Sequence, residues 1–316
     1  MNWGIIGLGH IAHEFADALA TKQGVFAAAS RDLDKARAFQ ERYGTQRAYG
    51  SYEELLADKD VDAVYVATVN ARHLDDIRAC LEAGKHVLCE KAIWGNYEEL
   101  SSLCELARER GLVLAEAMTI YHMPIFAKIA RMIEDGELGK IKIVKADLGS
   151  LKEDDPTNRF FNPDLGGGAM LDIGTYALSF LRYFLKGDFK EVTCVTQAYP
   201  TGVDEMWAIG VRTDADMVGC ANLTFRAKLP KRAIVAGDRA YVTVDNYVRA
   251  ETATLVYPDG TSREIACGKT ADALAYEVED FERAVEKGDP SSTYLDLTLD
   301  VVRTMDALLA DHGYAR

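Results

Sequence analysis

Asn2-Trp3-Gly4-Ile5-Ile6-Gly7-Leu8-Gly9-His10-Ile11-Ala12 reads as a short apolar strand, a glycine turn and the opening of a helix. Beyond it Ile11, Phe15 and Leu19 recur every four positions, the spacing of one buried helical face. One glycine permits the tight turn, a second lets backbone approach a pyrophosphate, and the small Ala12 allows close packing of helix on strand. The helix N-terminus adds free amides and the positive end of its dipole. A glycine turn before a helix also serves plain βα packing; the weight here comes from strand, turn and helix standing in the right order. That order predicts a dinucleotide site with Gly7, Gly9, His10 and Ile11 among its cofactor-binding residues.

Outward from this stretch, apolar β-like runs alternate with amphipathic helical segments to about residue 120, the pattern of a doubly wound parallel sheet with helices on both faces. The expected strands are Asn2 to Ile6, Val25 to Ala29, Ala63 to Ala67, His86 to Cys89 and Leu112 to Ala117. Ser51 with Glu54 and Asn96 with Glu99 resemble capping boxes, and Gly84 and Gly111 stand at expected left-handed C-caps. After Pro124 the texture changes: a helix (Ile125 to Glu134), a strand (Ile141 to Leu148), an irregular stretch through Asn162 and a helix from Gly168 to Leu185. Successive β runs follow, near Glu191 to Ala198, Met206 to Arg212, Met217 to Phe225, Arg232 to Val235, Tyr241 to Asp245 and Thr254 to Tyr257, with turn pairs at Gly237-Asp238 and Asp259-Gly260. Helical segments Tyr276 to Glu286 and Tyr294 to Leu309 close the chain. The expectation is an α/β chain of two domains: a Rossmann domain over 1–120, and over 121–316 an α+β domain with a large, mostly antiparallel sheet.

Composition agrees with a large buried core, since 48% of the 316 residues are hydrophobic and only 7 are proline. No run of about 18 uncharged apolar residues occurs, and the N-terminus lacks a basic region, so a non-membrane, cytoplasmic protein is expected. The 6 cysteines show no Cys-x-x-Cys spacing, which suits reduced core thiols better than disulfides or a metal site. A net charge of -14 repels polyanions and disfavours nucleic acid and anionic membrane as partners. A phosphate ligand then needs locally placed cations.

Such a cation stands where cofactor choice is made. About 20 residues past the glycines an acidic side chain would take the NAD ribose, but this chain has Ser30-Arg31. Arg31 can grip a 2′-phosphate with its planar fork and Ser30 can donate one more hydrogen bond, which favours NADP. In the alternative, Ser30 caps the next helix, Arg31 is solvated, and Asp32 reaches the ribose of NAD.

Ligands bind at the C-terminal edge of such a sheet, which puts Thr68, Asn70, His73, Glu90 and Lys91 beside the cofactor. A lysine after a buried strand can hold its ammonium near a substrate hydroxyl; Glu90-Lys91 read alone is equally a surface ion pair. Farther on, Gly166-Gly167-Gly168 leads into a helix on which Asp172 and Tyr176, four residues apart, share a face among apolar neighbours. Buried, both need partners; the plainer alternative is a locally bonded Asp172 and a core tyrosine with a wet tip.

The combination of Gly7-Leu8-Gly9-His10-Ile11-Ala12, Ala83-Gly84-Lys85-His86-Val87-Leu88-Cys89-Glu90-Lys91 and Gly167-Gly168-Ala169-Met170-Leu171-Asp172-Ile173-Gly174-Thr175-Tyr176 resembles the glucose-fructose oxidoreductase / inositol dehydrogenase / MocA family. The likeness runs from residue 1 to about 185 and continues more weakly in Gly202-Val203-Asp204-Glu205 and around Glu279-Asp280-Phe281. Tyr176 places it nearest the branch with dimeric dihydrodiol dehydrogenase and D-xylose dehydrogenase. The resemblance implies NAD(P)-dependent oxidation or reduction of a sugar, cyclitol or dihydrodiol. It also implies proton transfer through Lys91 and Tyr176, with Asp172 orienting substrate or Tyr176. Two departures stand out: Ala92 replaces the proline usual after the lysine, and Tyr121-His122 stands where close relatives often carry arginine. A polyol or sugar pocket lined by Tyr121, His122, Arg159, Phe160, Asp172 and Tyr176 is expected. Rival readings are an NAD-dependent glycoside hydrolase of this fold and a non-catalytic NADP-sensing regulator. The open sheet face suggests a homodimer or homotetramer.

Overall fold

Small and branched apolar runs build the first sheet. The computed structural model describes residues 1–20, 22–93 and 96–314. Among them β1 (Trp3–Ile6), β2 (Ala27–Ala29), β3 (Arg47–Tyr49), β4 (Ala63–Val66), β5 (His86–Glu90) and β6 (Leu114–Ala117) form one parallel sheet in the order β3-β2-β1-β4-β5-β6. The order reverses at β1, so the crevice beyond its C-terminal end, at Gly7, is the place such a sheet offers a ligand. Between the strands run α1 (His10–Ala20), α2 (Leu33–Tyr43), α3 (Tyr52–Ala57), α4 (His73–Glu82) and α5 (Tyr97–Glu109). Ser51 accepts from Glu54 N–H and Asn96 from Glu98 N–H, so both predicted N-caps form. Gly84 and Gly111 take left-handed φ of 74° and 65°.

The core of this sheet is aromatic at its centre. Phe15 of α1 stacks on Tyr65 of β4 at 3.7 Å, and Trp3 meets Phe15 edge-on at 5.3 Å. The remaining side of Trp3 is covered from far along the chain, by Phe281 at 5.1 Å, while its indole N–H donates to Glu282 at 2.9 Å. The compact units are accordingly discontinuous: Met1–Met118 with Leu274–Leu299, and Thr119–Ala273 with Asp300–Arg316. A single division near residue 120 does not show this return.

The second unit contains α6 (Thr119–His122), α7 (Pro124–Glu134), β7 (Ile141–Gly149), α8 (Thr175–Phe184) and seven further strands. These are β8 (Phe189–Ala198), β9 (Asp204–Thr213), β10 (Val218–Thr224), β11 (Arg232–Gly237), β12 (Tyr241–Asp245), β13 (Thr252–Val256) and β14 (Ser262–Ala266). Sheet order is β14-β13-β12-β11-β7-β10-β9-β8, antiparallel except where β7 and β10 run parallel. Alternation along β7 and β10 buries Val144, Ala146, Ala221 and Leu223, and α8 packs on those strands. Through Ala236 the register lines up Tyr241, Ile143 and Val218 in one cross-strand row, and all three are exposed. Helices α9 (Ala273–Lys287) and α10 (Leu295–Asp311) end the fold. No helix among the described residues is long and apolar enough to cross a membrane.

Candidate active site

In the first unit the turn after β1 is locked by contact. Gly7 has φ +85°, and a Cβ there would sit 2.6 Å from the Ala67 carbonyl, so only glycine lets the β1 and β4 ends approach. At Gly9 a Cβ would meet nothing within 4 Å. That open space continues into a cavity of about 260 Å³ between the glycine turn and the ends of β2 and β4. Its wall carries Ser30, Arg31, Lys35, Tyr52, Thr68 and Arg72. A dinucleotide fits this donor set: a turn with glycine on either side of Leu8 for phosphates, and three cations in a chain whose overall charge is negative.

The acidic residue at the end of β2 is occupied in helix capping. Asp32, not Ser30, caps α2; its carboxylate accepts from Asp34 N–H at 3.0 Å and Lys35 N–H at 3.4 Å. Ser30 Oγ instead accepts the Asp32 amide at 3.2 Å. Arg31 is exposed on the cavity wall. Arg72 is held by Asp76 at 2.6 Å, and the same carboxylate accepts from Thr68 Oγ1 at 2.7 Å. Lys35, Tyr52 and Arg72 were not foreseen; the signal was a lysine in the first turn of the helix after β2 and an arginine in the 3-10 turn after β4. His10 is exposed beside Glu14, 3.1 Å away, and Ile11 and Asn70 are partly exposed.

Farther along the sheet edge, His73 is wholly buried, and its ring spans two loops, with Nδ1 2.9 Å from Ala92 O and Nε2 3.2 Å from Thr68 O. Burial lowers its pKa, and the two carbonyl contacts oppose that shift. Lys91 is half-buried, and its amide donates to Glu90 Oε2 at 3.2 Å. Tyr65 O–H donates to the other Glu90 oxygen. The Lys91–Ala92 peptide is cis.

In the second unit the glycine run serves a different purpose. Met170–Gly174 form a π turn, in place of the α-helix expected from Gly168, and continue as α8. Asp172 lies on the π turn and Tyr176 on the first turn of α8. The helix entrance is closed by Asp204: its Oδ2 accepts from Met170 N–H at 2.6 Å and from the Trp207 indole at 2.7 Å. Burial raises the Asp204 pKa, and these donors oppose the rise. Asp172 faces Lys152 at 3.9 Å. The Lys152 ammonium lies 3.6 Å over the Phe160 ring, and the Arg159 guanidinium 4.1 Å from the same ring. Phe160, Arg159 and Asp172 are thus gathered with Lys152, a residue not foreseen. Tyr121 and His122 are buried in α6, which packs against α8 and the 247–249 turn. Among the described residues no group of three or more His, Cys, Asp or Glu is arranged to hold a metal.

Both units match known proteins. Residues 1–118 match the oxidoreductase family model with an NAD-binding Rossmann fold, and residues 126–243 match the GFO/IDH/MocA C-terminal domain. The chain is 30% identical over 326 residues to trans-1,2-dihydrobenzene-1,2-diol dehydrogenase of Xenopus tropicalis, covering 98% of each. A solved 3-ketoreductase from Actinomadura kijaniata, KijD10 with NADP and TDP-benzene, superposes with a TM-score of 0.84 at 26% identity, over 97% of this chain and 96% of that one. Levoglucosan dehydrogenase, solved with NADH and levoglucosan, shares the fold at a TM-score of 0.87 and 22% identity, over 98% and 96%. Matches on both units and a relative aligned over nearly the whole length place the chain in the GFO/IDH/MocA family of oxidoreductases.

Proposed function

We propose that the protein transfers hydride reversibly between NADP and a secondary alcohol or carbonyl carbon of a sugar, cyclitol or dihydrodiol. The observation that carries the cofactor preference is the engagement of Asp32 as the α2 cap, which leaves Arg31 and Lys35, not a carboxylate, facing the cavity. The NADP in the KijD10 complex supports it. The relative's name supports a dihydrodiol among the substrates.

In this reading a bound nicotinamide supplies the hydride acceptor or donor. The hydroxyl proton passes to Tyr176 or Lys91, an ammonium stabilises the tyrosinate form, and Asp172 orients substrate or Tyr176. Tyr121, His122, Arg159 and Phe160 are assigned to the substrate pocket. The exposed row of Tyr241, Ile143 and Val218 supports a homodimer or homotetramer. Steady-state kinetics over aldoses, inositols and cyclic diols with each cofactor tests the function. NADP is expected to give the lower KM, and Arg31→Ala to erase that preference. Lys91→Met and Tyr176→Phe are expected to lower kcat by about 10²- to 10⁴-fold with NADP affinity nearly unchanged. A lower KM for NAD, or near-normal turnover in both variants, overturns the reading.

A further inference from the structure

Glu116 lies on β6 in the apolar run Leu114-Ala115-Glu116-Ala117 and is only 2% exposed. A leucine there would be buried without the desolvation a carboxylate suffers. Its two oxygens are both occupied by donors: Ile93 N–H to Oε1 at 3.0 Å, and Thr298 Oγ1–H of α10 to Oε2 at 3.0 Å. Among the described residues, two donors and no acceptor face it, which suits the anion. Ile93 is two residues past Lys91, and Ala92 between them is held by His73. The segment carrying Lys91 is therefore tied at Glu90, at Ala92 and at Ile93, the last by a buried carboxylate.

We propose that Glu116 is a positioning residue for Lys91: through the Ile93 amide it fixes the Lys91 turn, and its charge favours the ammonium form of that lysine. The assignment of a proton-transfer role to Lys91, stated above, is the reading on which its catalytic consequence rests. Charged and titratable groups around this turn come from each neighbouring element: His73 of α4, Cys89 and Glu90 of β5, Glu116 of β6, and Glu277 of α9 beyond Tyr65. Glu116 feels the Lys91 ammonium and the Glu90 carboxylate with opposite sign, and burial, the largest influence, pushes its pKa up to about 7. The two hydrogen bonds and the ammonium work against that rise. The Lys91 ammonium and the Glu116 carboxylate attract, so each favours the other's charged form.

The test needs no substrate for its first arm. Lysines of the whole protein are labelled with acetic anhydride across a pH series, and the extent at each is read by mass spectrometry. In Glu116→Gln, which keeps the side-chain shape, the half-labelling pH of Lys91 is expected to fall by about one unit, a tenfold change in its ionisation constant. Lys128, on the other unit, is expected not to move. An unmoved Lys91, or an equal shift at every lysine, overturns the proposal. The second arm measures turnover of trans-1,2-dihydrobenzene-1,2-diol with NADP. Glu116→Gln is expected to lose about tenfold in kcat and its pH inflection near 7, with the NADP Kd within twofold; a uniform loss at every pH with the inflection retained marks a merely structural group and overturns it. If Lys91→Met abolishes turnover while Glu116→Gln behaves as the native protein, only the Glu116 proposal fails. If Lys91→Met turns over normally, the reading of Lys91 fails with it.

Discussion

The entrances to α1 and to the Met170–Phe184 helix both follow glycines, yet they are filled in opposite ways. At α1 the space a Gly9 Cβ would occupy is open, and the first turn carries no acidic residue. At the second entrance Gly168 has φ +127°, and a Cβ there would lie 2.2 Å from Asp204 Oδ1. Glycines thus leave room before a helix N-terminus in both cases. At the second the protein brings its own carboxylate and closes the entrance; at the first it brings none. The spelling of the glycine run does not distinguish the two; what approaches it does.

Substitutions at the two entrances should therefore fail differently. The largest effect is expected for Gly168→Ala, where positive φ and the Asp204 oxygen both oppose a side chain. Chemical denaturation should show a loss of roughly 2–4 kcal/mol. Gly9→Ala should leave stability within about 1 kcal/mol of native while weakening the NADP Kd about 10- to 100-fold by fluorescence titration. Undiminished affinity would mean that the open entrance is not where phosphates sit. The smallest effect sharpens the closed entrance: Asp204→Asn keeps an acceptor for Met170 N–H but removes the titration. Because the folded pKa of Asp204 is raised above its ordinary value of 3.8, the native state binds the extra proton between those two values. Its contribution to stability is greatest below 3.8 and declines as pH rises through the raised value. The Asn variant should lack that decline in a plot of Tm against pH.

Much of this was legible in the residues, and the failures share a cause. The β1-turn-α1 stretch, the caps at Ser51 and Asn96, and the long antiparallel run after 190 all announce themselves through local period and punctuation. The edge strand β3 does not, because Arg47-Ala48-Tyr49 is three half-buried residues with no alternation. Nor does β14, where Ile265 is the single buried side chain. At the candidate site, Arg31 was visible from its distance past the glycines. The commitment of Asp32 to capping α2 decides what Arg31 is free to do, and that depends on where the helix begins. Glu116 was hidden as one acid in an apolar strand, since its partners lie 23 and 182 residues away. Asp204 stood in a segment noted only for resemblance; its role appears when β9 carries it to the mouth of a helix 34 residues earlier. Long-range pairing, more than local propensity, separates the residues that were read from those that were not.

The Trp3 contacts set an order of events during synthesis. β1 leaves the ribosome well before the segment that supplies the far wall of its indole, Phe281, which shares one core with Val278 and Ala284. Translation must run through the whole second sheet before that wall emerges, a delay on the order of tens of seconds at bacterial or eukaryotic elongation rates. Until then that flank of β1 stays open, and the first unit is completed only when residues 274–299 return to it.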